Sequence, residues 1–178
     1  MKYIGKRISL KQKEAELSIV ILSLKNKIKN SLLFTWLLLW TFSGIIVLVY
    51  YFKIADHNTK AAIIVWFGFW FYFEYIIAKA LLWRKYGKEI IKLRDNKLLY
   101  KRDIAGKGKI RVFEFNFMKD LRIIEEKSNS FVENLNNSYW VIAGEKLGFD
   151  YYGKEIKIGI QLDEQDAIAL KNELKKRI

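Results

Sequence analysis

SLLFTWLLLWTFSGIIVLVYYF, residues 31–52, has no charged residue and decides how the rest of the chain is interpreted. An α-helix crosses the hydrocarbon core of a bilayer, roughly 30 Å thick, with about 20 consecutive apolar residues. A second apolar stretch covers residues 61–83. Neither stretch alternates as a barrel strand would, so both are predicted to be membrane-spanning helices. The short polar connection at residues 53–60 predicts that they form an antiparallel hairpin.

Basic residues flank the predicted hairpin on both sides. Residues 1–30 carry eight Lys and Arg against two acidic residues, and residues 84–122 carry 13 against five. The connecting loop holds only Lys53 and Lys60 beside Asp56. Because Lys and Arg are enriched in cytoplasmic loops, both termini are predicted to be cytoplasmic.

The formal net charge of +13 raises the question of nucleic-acid binding. Residues 123–178 contain eight basic and ten acidic residues, so the basic excess is confined to the parts of the chain nearest the predicted membrane. The orientation rule explains this distribution, and nucleic acid is not predicted as a partner. Anionic lipid headgroups are the better candidate. The residues expected to face them are Lys85, Lys88, Lys92, Arg94 and Lys97.

Four tryptophans lie within the two predicted helices, away from their ends: Trp36, Trp40, Trp66 and Trp70. Tryptophan is common at membrane interfaces, but these four are more than a two-helix hairpin needs. Contact with lipid is the simplest explanation. The alternatives are contact with each other or with the spanning helices of a partner protein.

Glu74 is a carboxylate within the second apolar stretch, nine residues before its end and therefore about 13 Å deep. An intramembrane carboxylate indicates a functional site. One explanation is a packing contact, either with a partner helix or, in protonated form, with Trp40, Thr41 or Ser43 of the first helix. Transport is disfavoured because no second acidic residue and no chain of polar residues accompanies Glu74. Lys79 is only about 6 Å deep, so its long side chain can reach the headgroups.

Residues 1–30 are predicted to form a basic amphipathic segment on the cytoplasmic leaflet. One side of a helical wheel collects Leu10, Leu17, Ile21, Leu24 and Ile28. A basic amphipathic helix of this kind lies in the plane of the membrane surface. A strand is the alternative, because Leu17, Ile19 and Ile21 also alternate.

Residues 84–178 are predicted to form a cytoplasmic domain of short antiparallel strands and one helix. Seven strands are expected, starting near Glu89, Lys97, Ile110, Leu121, Tyr139, Lys146 and Lys154, with a loop at residues 126–138. A C-terminal helix is expected to begin after Asp163 as its N-cap. Its apolar stripe consists of Ala167, Leu170, Leu174 and Ile178, which is suited to cover a curved sheet.

Several short stretches carry a resemblance to known families: GKEII from Gly87, NKL from Asn96, KGK from Lys107, LGFDYYGKEIKIG from Leu147 and LDEQDA from Leu162. With the order of elements, they resemble bacterial membrane-anchored proteins that carry a pleckstrin-homology-like domain after two spanning helices. The stretch RVFEFNFMKDLRI, residues 111–123, is similar to photosystem I assembly factors. These resemblances imply an antiparallel split barrel closed by the C-terminal helix, a bacterial inner membrane and an assembly or scaffold role.

The sequence offers little for catalysis. It has no Cys and a single His, which excludes disulfides and thiolate chemistry. His57 lies in the predicted outer loop, where a solvated side chain is the simplest explanation. No phosphate-binding glycine motif follows a strand, and the Gly106–Lys109 stretch fits a hairpin turn. No enzyme activity, cofactor or metal is therefore predicted.

Two functions are compatible with these features. The first is an accessory or assembly subunit whose hairpin packs on the helices of a membrane complex and whose cytoplasmic domain docks a protein. The second is a membrane-anchored module that senses anionic headgroups. The first is favoured because of Glu74 and the four tryptophans.

Overall fold

The computed structural model describes residues 2–13, 16–124 and 140–178. Its strands are β1 (Lys2–Ile4), β2 (Ile8–Lys13), β3 (Glu16–Leu22), β4 (Gly87–Arg94), β5 (Lys97–Ile104), β6 (Ile110–Glu114), β7 (Met118–Ile123), β8 (Glu145–Tyr151) and β9 (Lys154–Ile160). Its helices are α1 (Lys27–Lys53), α2 (His57–Tyr86) and α3 (Glu164–Lys175), and a short 3-10 helix covers Phe115–Phe117.

Strands β1 to β6 form one antiparallel sheet in chain order. Within it β3 and β4 are neighbours, with Leu17 opposite Leu93, although residues 23–86 separate them in sequence. The two ends of this insertion meet at Ser23. Its backbone N–H donates to the Gly87 carbonyl (3.1 Å) and its hydroxyl donates to the Arg84 carbonyl (3.1 Å). The helical hairpin is therefore an insertion between two paired strands, and both ends of the chain belong to the same β domain.

The amphipathic helix predicted within residues 1–30 is wrong. The described residues of this segment, 2–13 and 16–22, contain β1, β2 and β3, which is the alternative that the alternation indicated. On β3 the side chains of Leu17, Ile19 and Ile21 are at most 3 % exposed, while Ser18 and Val20 point away from the core. β-branched residues pack well on a pleated sheet, and β4 pairs with the whole of this strand. Residues 2–22 are thus part of the β domain instead of a separate N-terminal segment.

Helices α1 and α2 form the predicted antiparallel hairpin, and both are longer than the apolar stretches. Each begins at a side-chain cap: Asn26 accepts from the Lys29 N–H (3.0 Å) and Asp56 accepts from the Thr59 N–H (2.7 Å). These caps satisfy backbone donors that have no partner within the first helical turn. Because the helices extend to Lys53 and from His57, the connection is shorter than the sequence indicated.

The core of the β domain lies between the six-stranded sheet, the sheet β7–β8–β9 and α3. Ile91, Tyr100, Phe149 and Ile158 are fully buried there. Helix α3 covers the core with Ala167, Leu170 and Leu174, all at 0 % exposure, as the stripe predicts. The fourth residue of the stripe, Ile178, is exposed because it lies beyond the end of the helix. Asp163 stands at the N-cap position but makes no side-chain capping bond.

Two further predictions about the domain need correction. A strand beginning near Tyr139 is wrong for the described part of that segment, because residues 140–144 form turns and bends. Tyr139 itself and the loop at residues 126–138 lie outside the described residues. The two sheets are separate within the described part of the chain, so the architecture is a helical hairpin with a sheet-rich domain and a C-terminal helix.

Candidate functional site

Glu74 lies against the first helix of the hairpin. The Thr41 hydroxyl donates to Glu74 Oε1 at 2.7 Å and also lies 2.8 Å from the Leu37 carbonyl. The second carboxyl oxygen, Oε2, is buried without a hydrogen-bond partner among the described residues. The structure thus places Glu74 in the packing contact with Thr41 that the sequence offered as one alternative, and one of its oxygens has unused acceptor capacity.

The four tryptophans pack mainly within the hairpin. Trp70 donates its indole N–H to the Trp40 carbonyl at 3.1 Å, and Trp40 lies 3.5 Å from the Trp70 carbonyl in the reverse contact. Trp36 stacks on Trp40, and Trp66 stacks on Trp70. Gly44 makes this arrangement possible, because a Cβ there would collide with the Trp70 ring. The structure brings these residues into contact with one another, which is one of the alternatives that the sequence left open. Contact with lipid or with a partner helix stays a prediction.

Gly68, on the outer side of α2, borders open space, whereas Gly44 borders the Trp70 ring. A Cβ added at this glycine would meet nothing within 4 Å among the described residues. The gap belongs to an open concavity of about 520 Å³ that Val65, Phe69, Tyr72 and Phe73 also line. We call this concavity the Gly68 notch. It is apolar, and no side chain of the described chain fills it.

The basic residues predicted to face lipid headgroups do not form a free cationic surface. Most have an acidic neighbour: Lys88 with Asp103 (3.7 Å), Lys92 with Glu16 (3.5 Å), Arg94 with Asp95 (2.8 Å) and Lys97 with Glu114 (4.0 Å). The fifth, Lys85, lies over the Tyr86 ring. A strand rises about 3.3 Å per residue, so Arg94 lies about 23 Å along β4 from the end of the hairpin. The five predicted residues are therefore spread along the sheet, and neighbouring carboxylates compensate the charge of four of them.

Arg84 is a functional candidate that sequence reasoning missed. It is completely buried where α2 meets the β domain. Its guanidinium donates to Gln161 Oε1 and to the Val141 carbonyl (3.2 Å), and its own carbonyl accepts from Ser23. These bonds join the end of the hairpin to three separate segments of the domain. Its position directly after an apolar stretch resembles that of an ordinary flanking cation, so the sequence gives no signal for burial.

Glu89 joins the two sheets. Its carboxylate on β4 accepts hydrogen bonds from the Tyr100 hydroxyl and from two consecutive amides of β9, those of Gly159 (3.2 Å) and Ile160 (2.7 Å). Consecutive amides of a regular strand point in opposite directions. Here the φ of +76° at Gly159 turns both toward one carboxylate.

Burial is the largest cause of the raised pKa values of Glu89 and Tyr100. Burial raises the pKa of Glu89, against the effect of the hydrogen bonds from Tyr100 and Ile160. Burial and the neighbouring Glu89 also raise the pKa of the Tyr100 hydroxyl, which keeps it a proton donor. Arg102 donates to the Tyr100 oxygen (2.8 Å) and forms an ion pair with Glu145. This arrangement is a hydrogen-bonded network that joins the two sheets.

A cavity of about 580 Å³ lies beside this network, between α2 and the β domain. Tyr75, Lys79 and Trp83 of α2 form one wall, and the other walls include Arg102, Lys107 and Ile142. We call it the junction cavity. It combines three cations with aromatic and aliphatic surface, and the described residues of its lining include no carboxylate.

The segment at residues 140–142 also contacts the hairpin. Trp140 meets Trp36 edge to face with ring centroids 5.2 Å apart. Ile142 packs against a small cluster formed by Leu33, Ile77 and Ala80 of the two helices. Together with Arg84, these contacts fix the hairpin against the β domain and close one side of the junction cavity.

No family model matches this chain, and no curated protein or solved structure is found to be similar to it. Among the described residues, no group of three or more His, Cys, Asp or Glu side chains is arranged to hold a metal ion. The features of the described chain that bear on function are the hairpin, the Gly68 notch and the junction cavity.

Proposed function

We propose that this protein is a non-enzymatic accessory subunit of a bacterial inner-membrane complex, anchored by its hairpin and bound to a partner helix at the Gly68 notch. Support for the anchor comes from the apolar surface of the helices. In the most apolar 18-residue stretch of each helix only 11 % is buried inside the structure. Exposed apolar surface of this extent is rare in soluble monomers, and the bilayer is the environment that removes its cost.

The proposed orientation has both termini in the cytoplasm. It is supported by the basic residues on either side of the hairpin. Since β3 and β4 pair directly, the segments before and after the hairpin must lie on the same side of a membrane. The connection at residues 54–56 then lies outside the cell.

The Gly68 notch is the observation that favours a partner helix. Small residues occur at helix interfaces in membranes because they let backbones and large side chains approach closely. The hairpin gives an internal example, in which Gly44 receives the Trp70 ring. Gly68 offers the same kind of gap on the outer side of α2, flanked by aromatic side chains. A bulky side chain of another spanning helix is the occupant that fits it.

Site-specific crosslinking tests the partner. A photo-reactive residue replacing Tyr72, beside the notch, should capture one defined membrane protein, while the same residue at Phe34 on the exposed side of α1 should capture only lipid. Adding Gly68→Leu should abolish the Tyr72 crosslink without unfolding the hairpin, because the new side chain enters open space. Gly44→Leu is the contrasting control, since it must disrupt the hairpin itself.

The partner proposal would be refuted by crosslinking that is equal at Tyr72 and Phe34, or that Gly68→Leu does not change. The orientation has its own test, which uses the absence of native Cys. With Cys introduced at Asn58 and separately at Lys154, an impermeant thiol reagent on intact cells should label only the first. Labelling of Lys154→Cys without permeabilisation would reverse the orientation.

A second function, sensing of anionic lipid headgroups, is favoured by the cations of the junction cavity. It is compatible with the first, because the cavity and the Gly68 notch are lined by different residues of α2.

A further inference from the structure

Among the described residues, the junction cavity carries more positive than negative charge. Arg102 is neutralised by Glu145. Lys79 and Lys107 form no ion pair within the described residues, and the Lys79 ammonium lies 5.6 Å from the centroid of the Tyr75 ring. Two ammonium groups in a described lining without a carboxylate attract an anion.

The cavity lining is also amphipathic. Tyr75 and Ile76 belong to the apolar part of α2. Lys107 and Gly108 belong to the turn between β5 and β6. Lys79 lies on α2 about 6 Å before the apolar stretch finishes at Trp83. A small soluble anion would use only the cationic residues, whereas a phospholipid would use the cationic and the apolar residues.

Trp83 contributes a large aromatic side chain to the cavity wall, and the residue is 2 % exposed. With Tyr75 and Ile76 it makes up the apolar surface that α2 gives to the cavity.

We propose that the junction cavity binds the headgroup of an anionic phospholipid, with its phosphate held by Lys79 and Lys107 and its upper acyl region against Tyr75 and Ile76. The proposal rests on insertion of the hairpin into a membrane, but it does not depend on a partner helix. It also differs from the basic face that the sequence indicated, since none of those five residues lines the cavity.

The test uses the full-length protein, purified in a mild detergent and titrated with phosphatidylglycerol or phosphatidylcholine, with bound lipid counted by native mass spectrometry. One phosphatidylglycerol should be retained in preference to phosphatidylcholine. The double variant Lys79→Gln/Lys107→Gln should bind it more weakly by roughly fivefold for each lysine removed. Lys109→Gln is the matched control, because Lys109 lies in the same turn, is exposed and does not line the cavity. It should leave binding unchanged.

Three results would overturn the inference: equal retention of the two lipids, equal loss in the double variant and in Lys109→Gln, or displacement of the lipid by millimolar glycerol phosphate. The last result would identify a site for soluble anions instead. Thiol labelling of Asn58→Cys separates this failure from failure of the proposed function. If that position is accessible from outside but phosphatidylglycerol is not retained, the lipid site alone is refuted. If it is not accessible, both proposals fall.

Discussion

In the β domain, the buried carboxylate of Glu89 accepts three hydrogen bonds, two of them from backbone amides, whereas in the hairpin Glu74 accepts one bond from the Thr41 side chain. The difference follows from the secondary structure around each group. A strand end with a positive φ leaves amides free to bind an anion, but every amide in the middle of a helix is already used by the helix. Only side chains can therefore complete the bonding of Glu74.

The same contrast applies to the apolar residues. The β domain places Ile19, Ile91 and Leu98 inside at 0 % exposure, and the hairpin places residues such as Phe42, Phe69 and Phe71 outside. The domain is thus stabilised by its own core, whereas the apolar surface of the hairpin is left exposed, as the proposed membrane anchor would have it.

The largest effect is expected from separating the two halves of the β domain. Residues 84–178 alone lack β1–β3 and their five buried core residues. This fragment should remain unfolded, because the free energy of unfolding lost with five core side chains exceeds the total stability of an ordinary domain. Because Ser23 lies beside Arg84, residues 1–24 joined to residues 84–178 by a short Gly-Ser linker should restore the sheet. Circular dichroism and urea unfolding distinguish the two. A cooperative transition in the shorter fragment would show that the N-terminal strands are dispensable.

A smaller loss is expected from opening the core under α3. Leu170→Ala should lower the free energy of unfolding by about 2–5 kcal/mol, because it leaves a cavity at a fully buried position. Ile168→Ala on the exposed side of the same helix should cost less than about 1 kcal/mol. Pulse proteolysis of the full-length protein in detergent provides the measurement. Equal effects of the two substitutions would mean that α3 is not packed on the sheets.

Glu89→Gln should cost about 1–3 kcal/mol, because one amide oxygen cannot accept from all three donors. The effect should depend on pH. Burial raises the pKa of Glu89 above its ordinary value of 4.5, so its contribution to stability is fully present below that pH and is lost as the pH rises through the raised value. The stability difference between wild type and variant should therefore narrow with increasing pH. Glu114→Gln, on the surface, is the control. A difference in the free energy of unfolding between wild type and Glu89→Gln that increases with pH would contradict this prediction.

The smallest effect on stability is expected at Glu74. Hydrogen bonds between membrane helices contribute about 0.6 kcal/mol on average, and a leucine is easier to bury in lipid. Glu74→Leu should therefore leave expression and hairpin stability nearly unchanged, yet weaken association with a membrane complex if the carboxyl group contributes to the partner contact. Thr41→Val removes the same internal bond but keeps the carboxyl. If both variants weaken association equally, the internal bond and not the partner contact is responsible.

Local patterns in the sequence were sufficient for several elements. The charge-free stretch predicts α1, and the Arg94–Asp95–Asn96 stretch predicts the turn in which Asp95 and Asn96 adopt positive φ. Even Glu89 carries a signal, since it stands in phase with Ile91 and Leu93 on the inward side of β4. A charged residue in the buried phase of a strand indicates an internal partner, although the sequence does not identify that partner.

The N-terminal strands show where local patterns fail. Their spacing is compatible with a helix or a strand, and the partner that decides between them, β4, follows only after residues 23–86. The burial of Arg84 has the same origin, because its partners Val141 and Gln161 lie far along the chain. No pattern within a short window contains such pairings.

The sequence by itself determined the properties that depend on neighbouring residues: two helices long and apolar enough to cross a membrane, the basic residues that flank them, the strand turns and the stripe of α3. The tertiary structure alone decided which segments meet. It placed the hairpin between β3 and β4 and directed two amides of β9 at Glu89. It packed the Trp70 ring against Gly44 and left the space beside Gly68 open. It also assembled the junction cavity from α2, β5 and the segment at residues 140–142. The physical reason is that hydrophobic periodicity and helix or turn preference act over a few residues. Strand pairing, cavity shape and the compensation of buried charge arise between residues that only folding brings together.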